Sequence, residues 1–205
     1  MEIILASASP RRRELMSLLC DEFKIIPALG EEITPKDLSP AKAPEYLATL
    51  KAREIAKNYP EALVIGCDTA VFLDDKMLGK PKNREEARKM LLSLSGRSHK
   101  VISGCALILG EKTESFSVET EVLFFELSEE EIEIYLASGE GDDKAGSYGI
   151  QGKGSLFVKG IKGDYFNVVG FPVATIKRKI EKMKNGAQCE LPQFVRTVQK
   201  EPYGS

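Results

Sequence analysis

Asp68 stands alone in an apolar, β-branched stretch, residues 63–81, that reads LVIGCDTAVFLDDKMLGKP. Such a run reads as a mostly buried strand, and a carboxylate there is costly unless it is paired, hydrogen-bonded or bound to a metal. Asp74 and Asp75 supply turn chemistry, after which the chain returns through Met77 and Leu78 to Gly79, Lys80 and Pro81. A hairpin at this place predicts that Lys80 comes back near Asp68, with Gly79 letting the backbone approach closely. Taken alone, this describes a structural Asp–Lys pair across a hairpin. A chemical role depends on what the rest of the chain brings to it.

Four other segments offer reactive types. Residues 3–6 form a short apolar strand leading into Ser7-Ala8-Ser9-Pro10-Arg11-Arg12. Ser9 is a good N-cap and Pro10 suits the first helical position. Two hydroxyls and two arginines beside a helix start make an anion site, unless they are only an ordinary cap with exposed arginines. An irregular segment, 28–40, carries Glu31 and Glu32, at least one of which is solvated. A helix is predicted to begin between Ser39 and Pro44 and to end near Asn58, with Leu47, Leu50 and Ile55 in its apolar stripe. Lys51 falls at the border of that buried face, where a lysine either snorkels or points into a cleft. Finally, residues 141–154, GDDKAGSYGIQGKG, read as a loop folded over a site, since glycines permit close backbone approach to a ligand.

The elements that must position these residues follow from periodicity. A second strand is expected at 23–27. A helix capped by Asn83 turns Ala87, Met90, Leu91 and Leu94 inward and ends at Gly96. Long strands at 100–109 and 115–127 meet around Gly110, and Ser128 with Glu131 is a capping box for a helix stopping at Gly139. Strands are expected at 156–161 and 166–169, around the turn Lys162-Gly163-Asp164. Pro172 opens the last helix, with Val173, Ile176, Ile180 and Met183 inward. From Asn185 the periodicity fails, so residues 1–184 are expected to form a single domain in two lobes and 185–205 a loosely packed tail. Strands and helices alternate with at least two hairpins, which predicts an α/β protein with a mixed sheet and not a doubly wound parallel one.

At 205 residues and 42% hydrophobic, the chain can bury one good core. A formal net charge of −2 argues against nucleic-acid binding through a broad basic face, but leaves room for a small anion on a local basic cluster. No apolar run is long enough to span a membrane, and the N-terminal MEIILASASPRRR does not read as a signal peptide. Cys20, Cys67, Cys105 and Cys189 are scattered without a CxxC pair, so reduced thiols in a cytoplasmic protein are expected. His99 is the only histidine, which excludes a His-rich metal site or a two-histidine mechanism within one chain.

Together the segments SASPRRRELMSLL, LGEEI, ATLKA, IGCDTAVFLDDKMLGKP, LSGRSHKVISG and DKAGSYGIQGKGSLFVKGIKGDYFNVVGFPV resemble the Maf family of nucleoside triphosphate pyrophosphatases, in order over residues 3–176. The resemblance implies a curved mixed sheet with flanking helices, in two lobes around a central cleft. It implies hydrolysis of a nucleoside triphosphate to the monophosphate and pyrophosphate with a divalent cation, Mg²⁺ or Mn²⁺. Site roles carried over from the family fall on Ser7, Arg12, Glu32, Lys51, Asp68 and Lys80. Three further positions separate a dTTP/UTP-preferring group from one preferring 7-methylguanosine triphosphate. Here they hold Arg11, Thr69 and Gln151, which resembles the dTTP/UTP pattern.

The chemistry suits these types. Ser7, Arg12, Lys51 and Lys80 would hold the triphosphate, and Glu32 with Asp68 would hold the metal, since phosphates supply its other ligands. Asp68 would direct a water at the α-phosphorus, because no suitable histidine competes. The Gln151 amide both donates and accepts, matching a uracil or thymine edge. The expected partner is the nucleotide, with no nucleic acid and no membrane; a homodimer is left open. Two alternatives stand beside this reading: the same chemistry on other or modified nucleotides, and a nucleotide-binding regulator of cell division without turnover.

Overall fold

The computed structural model describes residues 1–185. In chain order the elements are β1 (Ile3–Leu5), α1 (Pro10–Met16), β2 (Lys24–Ile25), α2 (Ala43–Ala56), β3 (Leu63–Leu73), β4 (Lys76–Leu78), α3 (Arg84–Leu94), β5 (Ser98–Leu109), β6 (Lys112–Phe124), α4 (Glu129–Ala137), β7 (Val158–Lys162), α5 (Tyr165–Val169) and α6 (Val173–Asn185). The strands make one seven-stranded mixed sheet in the order β2-β1-β3-β5-β6-β7, with β4 added to β3. β1 is parallel to β2 and β3, and the remaining pairings are antiparallel. The expected α/β class with a mixed sheet and flanking helices is what the chain forms.

β3 organises the sheet because both of its faces are covered. Side chains alternate across a strand. Leu63, Ile65, Cys67, Val71 and Leu73 join the large core beneath α1, α3, α4 and α6, while Val64 joins Ala48, Ala52 and Ile55 of α2 on the opposite face. Asp68 belongs by parity to the α2 face and Thr69 to the other.

The buried stripe of α2 is built of alanine where leucine was expected: Ala48 and Ala52 are fully buried and Leu47 and Leu50 only half so. The cause lies in the facing strands. A Cβ on Gly66 would sit 2.2 Å from the Ala48 carbonyl oxygen, and one on Gly104 2.1 Å from the Glu45 amide nitrogen. Backbone therefore lies against backbone, and no leucine fits between.

Local signals hold where they are strong. Asn83 Oδ1 accepts from the Glu86 amide at 2.9 Å. The capping box is complete, with Glu131 N donating to Ser128 Oγ at 3.2 Å and Ser128 N donating to Glu131 Oε2 at 2.8 Å. Two expectations need correction. Residues 166–169 are not a strand but lie in α5: Asp164 caps the Phe166 amide at 2.8 Å, and Gly170 ends the helix with φ +111. Leu156 precedes its strand, in a 3-10 turn over Gly152–Phe157. Of the tail expected from Asn185 on, residues 186–205 lie outside the described residues.

Candidate active site

The N-terminal part of α2 is pressed on Gly66 and Gly104, and this sets the reach of Lys51. Its ammonium donates to Asp68 Oδ1 at 2.7 Å and meets Glu32 Oε1 at 3.0 Å. The Lys51 and Asp68 side chains are 16% and 18% exposed, whereas Glu32 is 55% exposed. The first pair is therefore largely sheltered from screening while the second faces solvent. Asp68 Oδ2 has no protein partner among the described residues.

The expected Asp68–Lys80 pair does not form. β4 stops at Leu78, opposite Val71, and Lys80 lies beyond the ladder, exposed and without an ion partner among the described residues. Asp68 takes its lysine from the helix across the sheet face, not from its own hairpin. Lys80 stands two residues past the strand, a cation with no ion partner among the described residues.

Arg12 occupies the other face of β3. Its Nε donates to Gly170 O at 3.0 Å, Nη1 to Cys67 O at 2.7 Å and to Ser7 Oγ at 3.3 Å, and Nη2 to Thr69 Oγ1 at 3.1 Å. Of the five N–H groups of a guanidinium, four are committed to the protein. Arg12 thus fastens the β1–α1 loop and the α5 C-terminus to β3, leaving one N–H and its charge for an anion. α1 spans seven residues, so Ser7 and the arginines, more than a helix end, are what this segment offers.

Thr69 is held within the same network. Its Oγ1 lies 2.9 Å from Ser103 Oγ, which donates to Asn167 O at 3.1 Å. Asn167, fully buried, donates to Val101 O at 3.0 Å and to Thr120 Oγ1 at 2.9 Å. Thr69 and Asp68 therefore face opposite sides of the strand.

Gln151 is exposed at the crest of the glycine-rich loop. Gly146 N donates to Gly79 O at 3.1 Å, which brings this loop beside the β3–β4 hairpin. Arg11 lies near the same loop: the Asp143 carboxyl is held below its usual range chiefly by its hydrogen bond to Lys144, with the Arg11 charge adding to the effect.

Two glutamates escaped sequence reasoning. Glu54, on α2, accepts from Leu29 N at 2.8 Å and Gly30 N at 3.0 Å, fixing the segment just before Glu31 and Glu32. Glu140 accepts from Lys153 N at 2.8 Å and Gly154 N at 3.0 Å, just after Gln151. The only available sign was position: Glu54 lies three residues after Lys51, and Glu140 between two glycines.

Glu32 and Asp68 converge on a single ammonium, and two carboxylates at one point suit a hard divalent ion whose other ligands are phosphate oxygens and water. The donor set thus fits such an ion bound together with a nucleotide. Among the described residues no cluster of three or more His, Cys, Asp or Glu side chains is gathered for a metal. His99 takes no part: it is buried, with Nε2 2.7 Å from Tyr148 Oη. No helix among the described residues is long and apolar enough to cross a membrane.

Comparison with known proteins bears on the family. Residues 2–183 match the family described as Maf-like protein. A relative from Bacillus cytotoxicus, named dTTP/UTP pyrophosphatase, is 48% identical over 186 residues, covering 91% of this chain and 97% of its own. One from Bacillus cereus with the same name is 49% identical over 180 residues, covering 88% and 94%. A solved HAM1 protein structure from Coxiella burnetii is 18% identical, with a TM-score of 0.49 over 89% of this chain and 99% of that one.

Proposed function

The chain belongs to the Maf-like protein family, and we propose that it hydrolyses dTTP and UTP in the cytoplasm to the nucleoside monophosphate and pyrophosphate. The observation that carries this reading is the Asp68 carboxylate, with one oxygen fixed by Lys51 at 2.7 Å and the other without a protein partner among the described residues. It supports a water-directing base on a rigid strand, in a chain about half identical to proteins named for this activity.

In this reading Asp68 Oδ2 accepts the proton of a water aimed at the α-phosphorus, while Lys51 keeps the carboxylate oriented. Glu32 and Asp68 would hold a divalent cation, which would supply charge to offset that gathering on the leaving pyrophosphate. The Ser7 hydroxyl, the remaining Arg12 N–H and the exposed Lys80 ammonium hold the phosphate chain. Gln151 and Arg11 face the base from the glycine-rich loop and the start of α1. Thr69 supports them indirectly, by fixing Arg12.

Incubation of the purified chain with a panel of nucleoside triphosphates, Mg²⁺ and H₂¹⁸O tests this. The expected result is UTP and dTTP turned over fastest, with monophosphate and pyrophosphate in equal amounts and ¹⁸O in the monophosphate. Diphosphate with inorganic phosphate, or ¹⁸O in the pyrophosphate, overturns the proposed attack. Intact triphosphate after prolonged incubation means a binder without turnover.

A further inference from the structure

Gln151 has no side-chain hydrogen bond among the described residues and stands exposed, so its usefulness as a base reader depends on the loop beneath it. Both legs of that loop are fixed to one acid–phenol pair. Glu140 Oε2 accepts from Lys153 N at 2.8 Å, and Oε1 accepts from Gly154 N at 3.0 Å and from Tyr135 Oη at 3.3 Å. Tyr135 Oη in turn accepts from Gly149 N at 3.2 Å on the opposite leg. Burial pushes the Tyr135 phenol above its usual range, so it stays a donor to the carboxylate.

The legs also touch. A Cβ on Gly154 would lie 2.3 Å from Gly149 O, and one on Gly152, whose φ is +81, would lie 2.7 Å from Glu140 Oε2. Ile150, directly before Gln151, is buried in the core. Glu140 is too far along the chain to belong to this loop's own turns, and its carboxylate replaces the ladder that a strand would have given.

We propose that Glu140 is a positioning residue for base selection: its carboxylate, braced by Tyr135, fixes the 149–154 loop so that Gln151 meets the nucleobase in one orientation. The inference rests on the dTTP/UTP reading above for which base is favoured, and on the hydrogen bonds alone for the clamp. Glu140→Gln is the informative change. The amide keeps the shape, but whichever way it turns, its NH₂ faces a backbone N–H, donor against donor. A charged acceptor shared by two amides is lost.

Two measurements on the full chain decide the matter: amide hydrogen exchange, and kcat/KM for the best and worst triphosphates of the wild-type panel. In Glu140→Gln, exchange at Lys153 and Gly154 should quicken while β3 and β5 stay protected. The kcat/KM ratio of best to worst base should fall on the order of 10-fold. Tyr135→Phe, which frees Gly149 N, should move both readouts the same way but less, and serves if Glu140→Gln does not fold. Unchanged exchange overturns the clamp. Quickened exchange with an unchanged ratio, or an equal loss on every base, overturns its role in selection. A wild type that prefers a base other than thymine or uracil overturns the substrate reading, and the clamp is still decided by its own two readouts.

Discussion

Gly66→Ala tests whether catalytic geometry is set by the contact of α2 with the sheet. The added Cβ would lie 2.2 Å from Ala48 O and 2.9 Å from Ala52 Cβ. Ordinary contact needs well over 3 Å, so α2 must retreat by about 1 Å, a distance that a close-packed interior does not absorb silently. Lys51 sits between Ala48 and Ala52 on that helix. The same retreat takes its 2.7 Å bond to Asp68 out of hydrogen-bonding range. A misplacement of about 1 Å can cost roughly 100-fold in rate, and overpacking costs about 1–3 kcal/mol of stability. The expectation is a fall in pyrophosphate release of that order, with Tm lowered by about 2–4 °C per kcal/mol lost. Adding Ala52→Gly should restore little, because the nearest atom is a backbone carbonyl that no side-chain change removes. Gly160→Ala is the control, since nothing lies within 4 Å of its Cβ. A Gly66→Ala chain with wild-type turnover and Tm would refute the argument that this backbone contact sets the site.

Asp68→Asn keeps the shape but removes the charge and the basic oxygen; turnover should fall about 100-fold or more while circular dichroism stays native, and near-normal turnover would reduce Asp68 to a structural partner of Lys51. A third expectation concerns acid stability. Burial pushes the His99 imidazole down from 6.5 to about 4. The unfolded chain therefore takes up a proton that the folded chain refuses, and stability present above pH 6.5 is lost as the pH falls toward 4. The His99 share amounts to about 3 kcal/mol at full extent. Urea unfolding at pH 7 and pH 4 should show a loss smaller by about that amount in His99→Gln, and identical losses in the two proteins would sink the assignment.

What was legible in the sequence was local. The caps at Asn83 and Ser128, the Asp74-Asp75 and Gly110 turns and the buried run of β3 each follow from a few neighbouring residues, and each stands where expected. What was not legible depended on elements distant in the chain. Asp68 lay nearer in sequence to Lys80 than to Lys51, but hairpin pairing ends at Leu78, and only the docking of α2 reveals Lys51 as the partner. The alanine stripe of α2 depends on glycines in β3 and β5, which periodicity within the helix cannot report. FNVV reads as strand by composition, but Asp164 and Gly170 cap it as a helical turn, and Asn167 satisfies Val101 O and Thr120 Oγ1 in the core. Glu32 and Asp68 meet at Lys51 on one face of β3, and Ser7 joins Arg12 on the other. The four bonds that commit Arg12 to Gly170, Cys67, Ser7 and Thr69 needed the fold to be seen.

The site draws its residues from two kinds of support, and the difference explains Glu54 and Glu140. Asp68, Lys51 and Arg12 sit on a strand and two helices whose backbones are fixed by ladders and by packing. Glu32 and Gln151 sit on segments with no ladder of their own, where successive backbone N–H groups would otherwise be left to water. In both segments a glutamate from elsewhere receives two consecutive amides, Leu29–Gly30 for Glu54 and Lys153–Gly154 for Glu140. A carboxylate offers two oxygens in a fixed plane, so accepting two neighbouring amides fixes orientation as well as position. Lysine could not replace it, having no acceptor, and an amide would set a donor against one of the N–H groups. Glu54 shares α2 with Lys51, so the helix that aims the ammonium at Asp68 also holds the segment bringing Glu32 to the same ammonium. A displacement of α2 therefore moves Lys51 and Glu32 together relative to Asp68, which stays on β3, while the Glu140 clamp, anchored beyond α4, leaves all three in place and moves only the loop that carries Gln151.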